Sequence, residues 1–130
     1  MSNLKYQEIT ENIIGAAYNV HNLLGSGFLE KVYRNALVIE LLSLEFKVDV
    51  EKPIEVLYKG EIVGNYFADI LVEDKVIVEI KAIKELSMIH EVQLVNYLKA
   101  TGIEVGLLIN FGTSVQVKRR VLDKQVSCEQ

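Results

Sequence analysis

The chain has 130 residues, half of them hydrophobic and 25% charged, a globular composition with room for one real core but not for two. Asp and Glu outnumber Lys and Arg by 18 to 14, and the net charge of −4 excludes an extended nonspecific nucleic-acid surface, though not a narrow site whose metal supplies the positive charge. No apolar stretch is long enough to span a bilayer, and Met1-Ser2-Asn3-Leu4-Lys5 lacks the apolar core of a signal peptide, so a cytoplasmic protein without membrane contact is expected.

A single domain over residues 1–130 is expected, with a core from about 6 to 121 and a polar tail from 122 to 130. The one cysteine, Cys128, sits in that tail and can form neither an internal disulfide nor a zinc cluster. From Tyr6 to Leu24, the recurrence of Ile9, Ile13, Ala16, Ala17, Val20 and Leu24 predicts a helix with one apolar stripe, stopped by Gly25-Ser26-Gly27. A second helix is predicted from Phe28 to Leu44, with Leu37 and Leu41 facing inward. Val48–Tyr58 and Ile62–Val72 read as strands joined by a turn at Lys59-Gly60. Val76 to Ile83 reads as a buried strand. A third helix is predicted over Leu86–Thr101, ending at Gly102, with Ile89, Val92 and Val95 toward the core. Val105–Phe111 is an apolar strand, and Val115–Val121 reads as a last, exposed one. The order α-α-β-β-β-α-β-(β) predicts a mixed sheet flanked by helices, three antiparallel strands first and one more added by a crossover.

Charge inside the apolar strands is the main chemical signal. Glu79 and Lys81 share one face of their strand, opposite Val76, Val78, Ile80 and Ala82. Buried charges are costly unless paired or bound to metal. Whether Asp69 joins them depends on register. A two-residue loop at Glu73-Asp74 would pair Asp69 with Val78, on the wrong face. A three-residue loop, Glu73 to Lys75, would pair it with Glu79, with Cα atoms roughly 4.5–5.5 Å apart. Two converging carboxylates suit Mg²⁺ or Mn²⁺. The same string also reads as a cross-strand ion pair with Lys81.

Glu30 shares a helical stripe with Tyr33, Leu37 and Leu41 and is expected to point inward as a third carboxylate, or else to serve as an N-terminal capping residue. On the third helix His90, Gln93 and Tyr97 form a polar arc that could orient phosphate or metal ligands, or be ordinary surface. His21 has no evident partner. No phosphate-cradling glycine loop and no Gly-x-Ser-x-Gly elbow is present. Lys118-Arg119-Arg120 reads as a solvated edge that discourages strand aggregation.

Asp69, Glu79-Ile80-Lys81 and Gln93-x-x-x-Tyr97 together resemble the PD-(D/E)xK nuclease superfamily, near its RecB-like branch, and Gly27-x-x-Glu30-x-x-Tyr33 resembles the signature of the GxxExxY protein family. The likeness extends through Gly106-Leu107-Leu108-Ile109-Asn110-Phe111-Gly112 and covers roughly Ile9 to Val121. It departs in one place: the superfamily's proline before the aspartate is Ala68 here. The resemblance implies a restriction-endonuclease-like fold, with Asp69 and Glu79 as metal ligands, Lys81 as the catalytic lysine and Glu30 as the helical carboxylate of the site. It places Gln93 and Tyr97 in the adjoining helical motif; His90 of the polar arc and Tyr33 are expected, with them, to orient substrate. The expected function is metal-dependent hydrolysis of phosphodiester bonds, in DNA more than RNA. The alternative is a non-catalytic scaffold that keeps the fold. A homodimer through the Val115–Val121 edge and a protein partner supplying targeting are further expectations.

Overall fold

The computed structural model describes residues 6–122. The readings of Met1–Lys5, of Cys128 and of most of the polar tail lie outside the described residues. The elements follow the expected order: α1 (Gln7–Leu24), α2 (Glu30–Ser43), β1 (Val48–Tyr58), β2 (Glu61–Val72), β3 (Val76–Lys81), α3 (Met88–Thr101), β4 (Val105–Phe111) and β5 (Val115–Val121). Five strands form one sheet in the order β1-β2-β3-β4-β5. Only β3 and β4 run parallel, because α3 carries the chain across between them. This is the restriction-endonuclease-like arrangement expected. Among the described residues no helix is long and apolar enough to cross a membrane.

The sheet is covered on both faces, and strand alternation decides which residue goes where. Val76, Val78 and Ile80 pack with Ile13, Ala17 and Val20 of α1 and with Tyr33, Leu37 and Leu41 of α2. Ile77 and Leu108 pack with Leu94, Tyr97 and Leu98 of α3 on the other face. Strands β3 and β4, sandwiched between both layers, are apolar apart from Glu79, Lys81 and Asn110. Leu94 sits so close to β4 that a Cβ at Gly106 would come within 2.7 Å of it, so glycine sets the closeness of α3 to the sheet. On the far side of α3, Glu91 pairs with Arg120 of β5, which gives one cation of the basic run a tertiary partner.

Several boundaries differ from the sequence reading. Helix α2 starts at Glu30, not Phe28, because the preceding loop is held extended. Gly27 has φ 105°, a left-handed value that a side chain would strain. The buried Tyr33 hydroxyl donates to Gly25 O at 2.6 Å and accepts from Phe28 N–H at 3.2 Å. Helix α3 starts at Met88, with Ser87 as its N-cap. Its core face is Leu94, Tyr97 and Leu98. The expectation for Ile89 and Val92 fails: they are 71% and 49% exposed, because a helix already anchored by Leu94 and Leu98 turns these positions away from the sheet.

Strand β3 ends at Lys81, two residues early, because Asn110 captures the next backbone. Asn110 is fully buried at the end of β4. Its Oδ1 accepts from Ile83 N–H at 2.9 Å, and its Nδ2 donates to Ile83 O at 2.9 Å and to Gln116 Oε1 at 3.2 Å. This clamp fixes the chain just after Lys81. Replacing Asn110 with Ala should leave buried backbone groups unpaired and cost about 1–3 kcal/mol in urea unfolding. A loss below about 0.5 kcal/mol, the scatter of ordinary surface changes, would mean the clamp is not needed.

Candidate active site

Strands β2 and β3 resolve the register question in favour of the three-residue loop. The pairs Val72↔Val76, Leu71↔Ile77 and Ile70↔Val78 lead directly to Asp69 and Glu79. There the ladder gives way to side chains. Asp69 N–H donates to Glu79 Oε2 at 3.0 Å, and Ile80 N–H donates to Asp69 Oδ2 at 2.8 Å. Each carboxylate thus fills a gap in the other strand's backbone bonding. Strand β2 changes the face it presents at this point. Ala68 packs in the α3-side cluster and Ile70 in the opposite one, so the alternation breaks across Asp69. Opposite it, β1 loses one pair between Val50↔Ile70 and Lys52↔Ala68, where Glu51 adopts φ 53°.

The electrostatics are those of a dry, crowded carboxylate pair. Glu79 is buried, and its carboxyl is pushed up to about 8, first by loss of water and then by the charge of Asp69, with Glu30 adding to the push. The Asp69 N–H and Lys81 act in the other direction. Asp69 is also raised, chiefly by burial, while the Ile80 N–H and the charges of Lys81 and Arg34 pull it down. Lys81 itself is half-buried, and among the described residues it makes no hydrogen bond or ion pair. The cross-strand ion-pair reading is therefore set aside: Lys81 acts on the carboxylates at longer range and keeps its donors free.

Each carboxylate uses one oxygen on backbone, and no buried side-chain oxygen in the described residues lacks a partner. The second oxygens, Asp69 Oδ1 and Glu79 Oε1, take no hydrogen bond from the described residues. Two hard oxygens in a site of excess negative charge fit a Mg²⁺-type ion, which commonly takes one or two protein carboxylates and completes its shell with water and substrate oxygens. A three-carboxylate set is not assembled: among the described residues no group of three acidic, His or Cys side chains could hold a metal. Glu30 is exposed at the first turn of α2 rather than pointing inward, and it reaches Glu79 through its charge. As the first residue of α2 it lies a full turn before the inward-facing Tyr33 and stays in water.

The remaining candidates divide. Tyr33 is fully buried, stacked on Phe111 with ring centroids 4.6 Å apart, and both of its hydroxyl bonds go to the α1–α2 loop. It does not face a substrate; it holds the loop that sets where Glu30 begins α2. On α3, Gln93 Nε2 donates to Tyr97 Oη at 2.9 Å, and burial and the nearby Glu79 charge raise the Tyr97 hydroxyl. His90 Nδ1 accepts from Ser87 N–H at 3.2 Å, taking the place that Glu or Gln fills in a capping box, so that nitrogen is occupied. His90, Gln93, Tyr97 and Lys81 do line one common groove of about 1150 Å³ between α3 and the β1–β2 hairpin. His21, without a partner in sequence, bonds Gly112 O at 2.9 Å.

Three residues escaped the sequence reading. Arg34 lies one turn after Glu30, pairs with Glu51 at 3.1 Å, and projects its charge onto Asp69. Its i+4 spacing from Glu30 was the available signal. Tyr66 sits in the groove with its ring 5.7 Å from that of Tyr97, and only strand pairing brings them together. Asn110 was visible as a lone amide in an apolar run.

The chain matches the family model described as PD-(D/E)XK nuclease superfamily over residues 7–121. Among solved structures it is similar to one titled "Crystal structure of SSO0001", with 23% identity and a TM-score of 0.46. That match covers 71% of this chain and 55% of the other, so the chain spans about half the length of that protein. No curated protein matches it.

The raised Glu79 carboxyl carries a pH signature. The unfolded chain releases this proton near 4.5, and the folded chain holds it until about 8. Between those values the folded state binds more protons, so metal-free stability should fall as pH rises through the window and be unaffected below it. Each pH step of one within the window costs on the order of 1.4 kcal/mol before relaxation reduces it. Glu79→Gln should lack most of this decline and should be more stable than the parent at pH 8. Urea unfolding in chelator at pH 5 and pH 8 measures it. Parallel pH profiles for the two proteins would show that Glu79 is not buried as a carboxylic acid.

Proposed function

This chain belongs to the PD-(D/E)XK nuclease superfamily, and we propose that it is a metal-dependent nuclease hydrolysing phosphodiester bonds in DNA. The observation that carries this reading is the dry Asp69–Glu79 pair beside an unpaired Lys81. Buried charge arranged for stability would be neutralised internally; here both carboxylates are raised and the neighbouring ammonium is left free. Assignment to the GxxExxY family and to the RecB-like branch is part of the same proposal. It is supported by Gly27 at φ 105° in a loop that the Tyr33 hydroxyl bonds at Gly25 and Phe28, with Glu30 opening the helix that follows.

Superfamily members generally use divalent metals such as Mg²⁺. In this reading Asp69 Oδ1 and Glu79 Oε1 would hold Mg²⁺ or Mn²⁺. When bound, such an ion lowers the pKa of a coordinated water and polarises the phosphate. Lys81 orients the attacking water or stabilises charge developing on the phosphate oxygens. Glu30 tunes the site by its charge and does not ligate. Gln93 and Tyr97 position the substrate from α3, and Arg34 is a further cation facing Asp69. Cytoplasmic location, self-association through the exposed β5 edge and a separate targeting partner belong to the proposal as well.

A non-catalytic scaffold that keeps the fold is the competing reading. A cleavage assay on single-stranded, duplex and flapped DNA with Mg²⁺, Mn²⁺ or chelator separates the two. Asp69→Asn should keep the fold, lose cleavage and lose the rise in melting temperature that Mg²⁺ gives the parent. Lys81→Ala should keep that rise but lose cleavage by about 10²–10³-fold. If Mg²⁺ raises the melting temperature of none of them and no substrate is cut, the nuclease reading fails.

A further inference from the structure

The groove between α3 and the β1–β2 hairpin sets apolar side chains beside two ammonium groups. The chain carries 18 acidic residues, yet no carboxylate lines this groove; its charged lining residues are Lys81 and Lys99. Its walls are apolar and open: Leu57 is 59% exposed, Ile89 71% and Val92 49%, and Tyr66 presents a ring from the floor of the hairpin. Such exposure on helix positions that could have carried Lys or Glu marks a surface that meets something. Lys81, one of its lining residues, is also the free ammonium beside Asp69 and Glu79. The groove is therefore continuous with the candidate active site.

We infer that this groove binds single-stranded DNA with its bases against the apolar walls, and feeds that strand to Lys81 and the carboxylate pair. The inference rests on the nuclease reading and narrows its substrate. A duplex keeps its bases stacked inside and offers phosphates outward, so seating it here would strip water from phosphates against Leu57 and Ile89 without compensation. A single strand offers both chemistries at once: base faces for Tyr66 and the aliphatic walls, phosphates for Lys81 and Lys99.

The test uses the full chain in two arms. In chelator, where nothing is cut, fluorescence anisotropy compares labelled oligo-dT, a duplex of equal length and oligo-U. Oligo-dT should bind at least tenfold tighter than either. Leu57→Asp and Ile89→Asp, both at exposed positions, should keep the parent melting temperature and weaken oligo-dT binding by about tenfold each. With Mg²⁺ or Mn²⁺, the single strand or the single-stranded arm of a flap should be cut faster than duplex. Equal binding of duplex, or variants that bind and cut like the parent, would overturn the groove inference while leaving a cleaving enzyme intact. Oligo-U bound as tightly as oligo-dT would overturn the choice of DNA. Oligo-dT binding that both variants abolish, with no cleavage of any substrate, would support the groove and overturn the nuclease reading instead.

Discussion

Where β2 and β3 meet at Asp69 and Glu79, two backbone amides donate to carboxylates instead of to carbonyls. A sheet with an unpaired amide at its centre would lose the value of a buried hydrogen bond, so the carboxylates are built into the fold and not merely attached to it. The arrangement has an electrostatic cost. Removing two acids from water beside each other pushes both carboxyls upward, Glu79 furthest. The change of face in β2 falls at the same place, where the β2–β3 pairs end. Beyond the last β2–β3 pair the β1–β2 hairpin continues, and its Tyr66 meets Tyr97 of α3 in the groove.

Everything near this junction is held by a residue whose own role is positional. Asn110 bonds both backbone groups of Ile83 and so ends β3 immediately after Lys81, leaving that side chain at a strand terminus where its ammonium is free. Tyr33 does the equivalent work on the other side of the sheet. Stacked on Phe111 and bonded to Gly25 and Phe28, it fixes the loop that delivers Glu30 and Arg34 at the start of α2. Both are buried polar side chains with satisfied partners, which is the condition for a rigid rather than a costly interior. Gly27, Glu30 and Tyr33 thus have separate physical parts: a left-handed glycine, an exposed acid at a helix start, and a tyrosine that bonds the loop on either side of that glycine.

Element types and order were legible because period and composition report them directly. The apolar stripe of α1 and the continuous apolar runs of β3 and β4 have one reading each. Asp69, Glu79 and Lys81 were legible because charge in an apolar strand is rarely accidental. Roles that depend on where a side chain ends were not. Tyr33 lay on the right stripe, yet it bonds backbone. Glu30 lay on the same stripe and is exposed. Ile89 and Val92 look like core residues from hydropathy alone, and they line a groove.

The sequence by itself determined the order of elements, the faces of the central strands and the three charged residues within them, since alternation and periodicity are local properties of the chain. Only the tertiary structure decided that Asp69 reaches Glu79, because the alternative loop of one residue fewer would have sent it to the opposite face. Only the tertiary structure separated the positional residues from the open ones. Hydrogen-bond partners such as Asn110 with Ile83, 27 residues apart, and His21 with Gly112, 91 apart, exist only once the sheet and its two helical layers are packed.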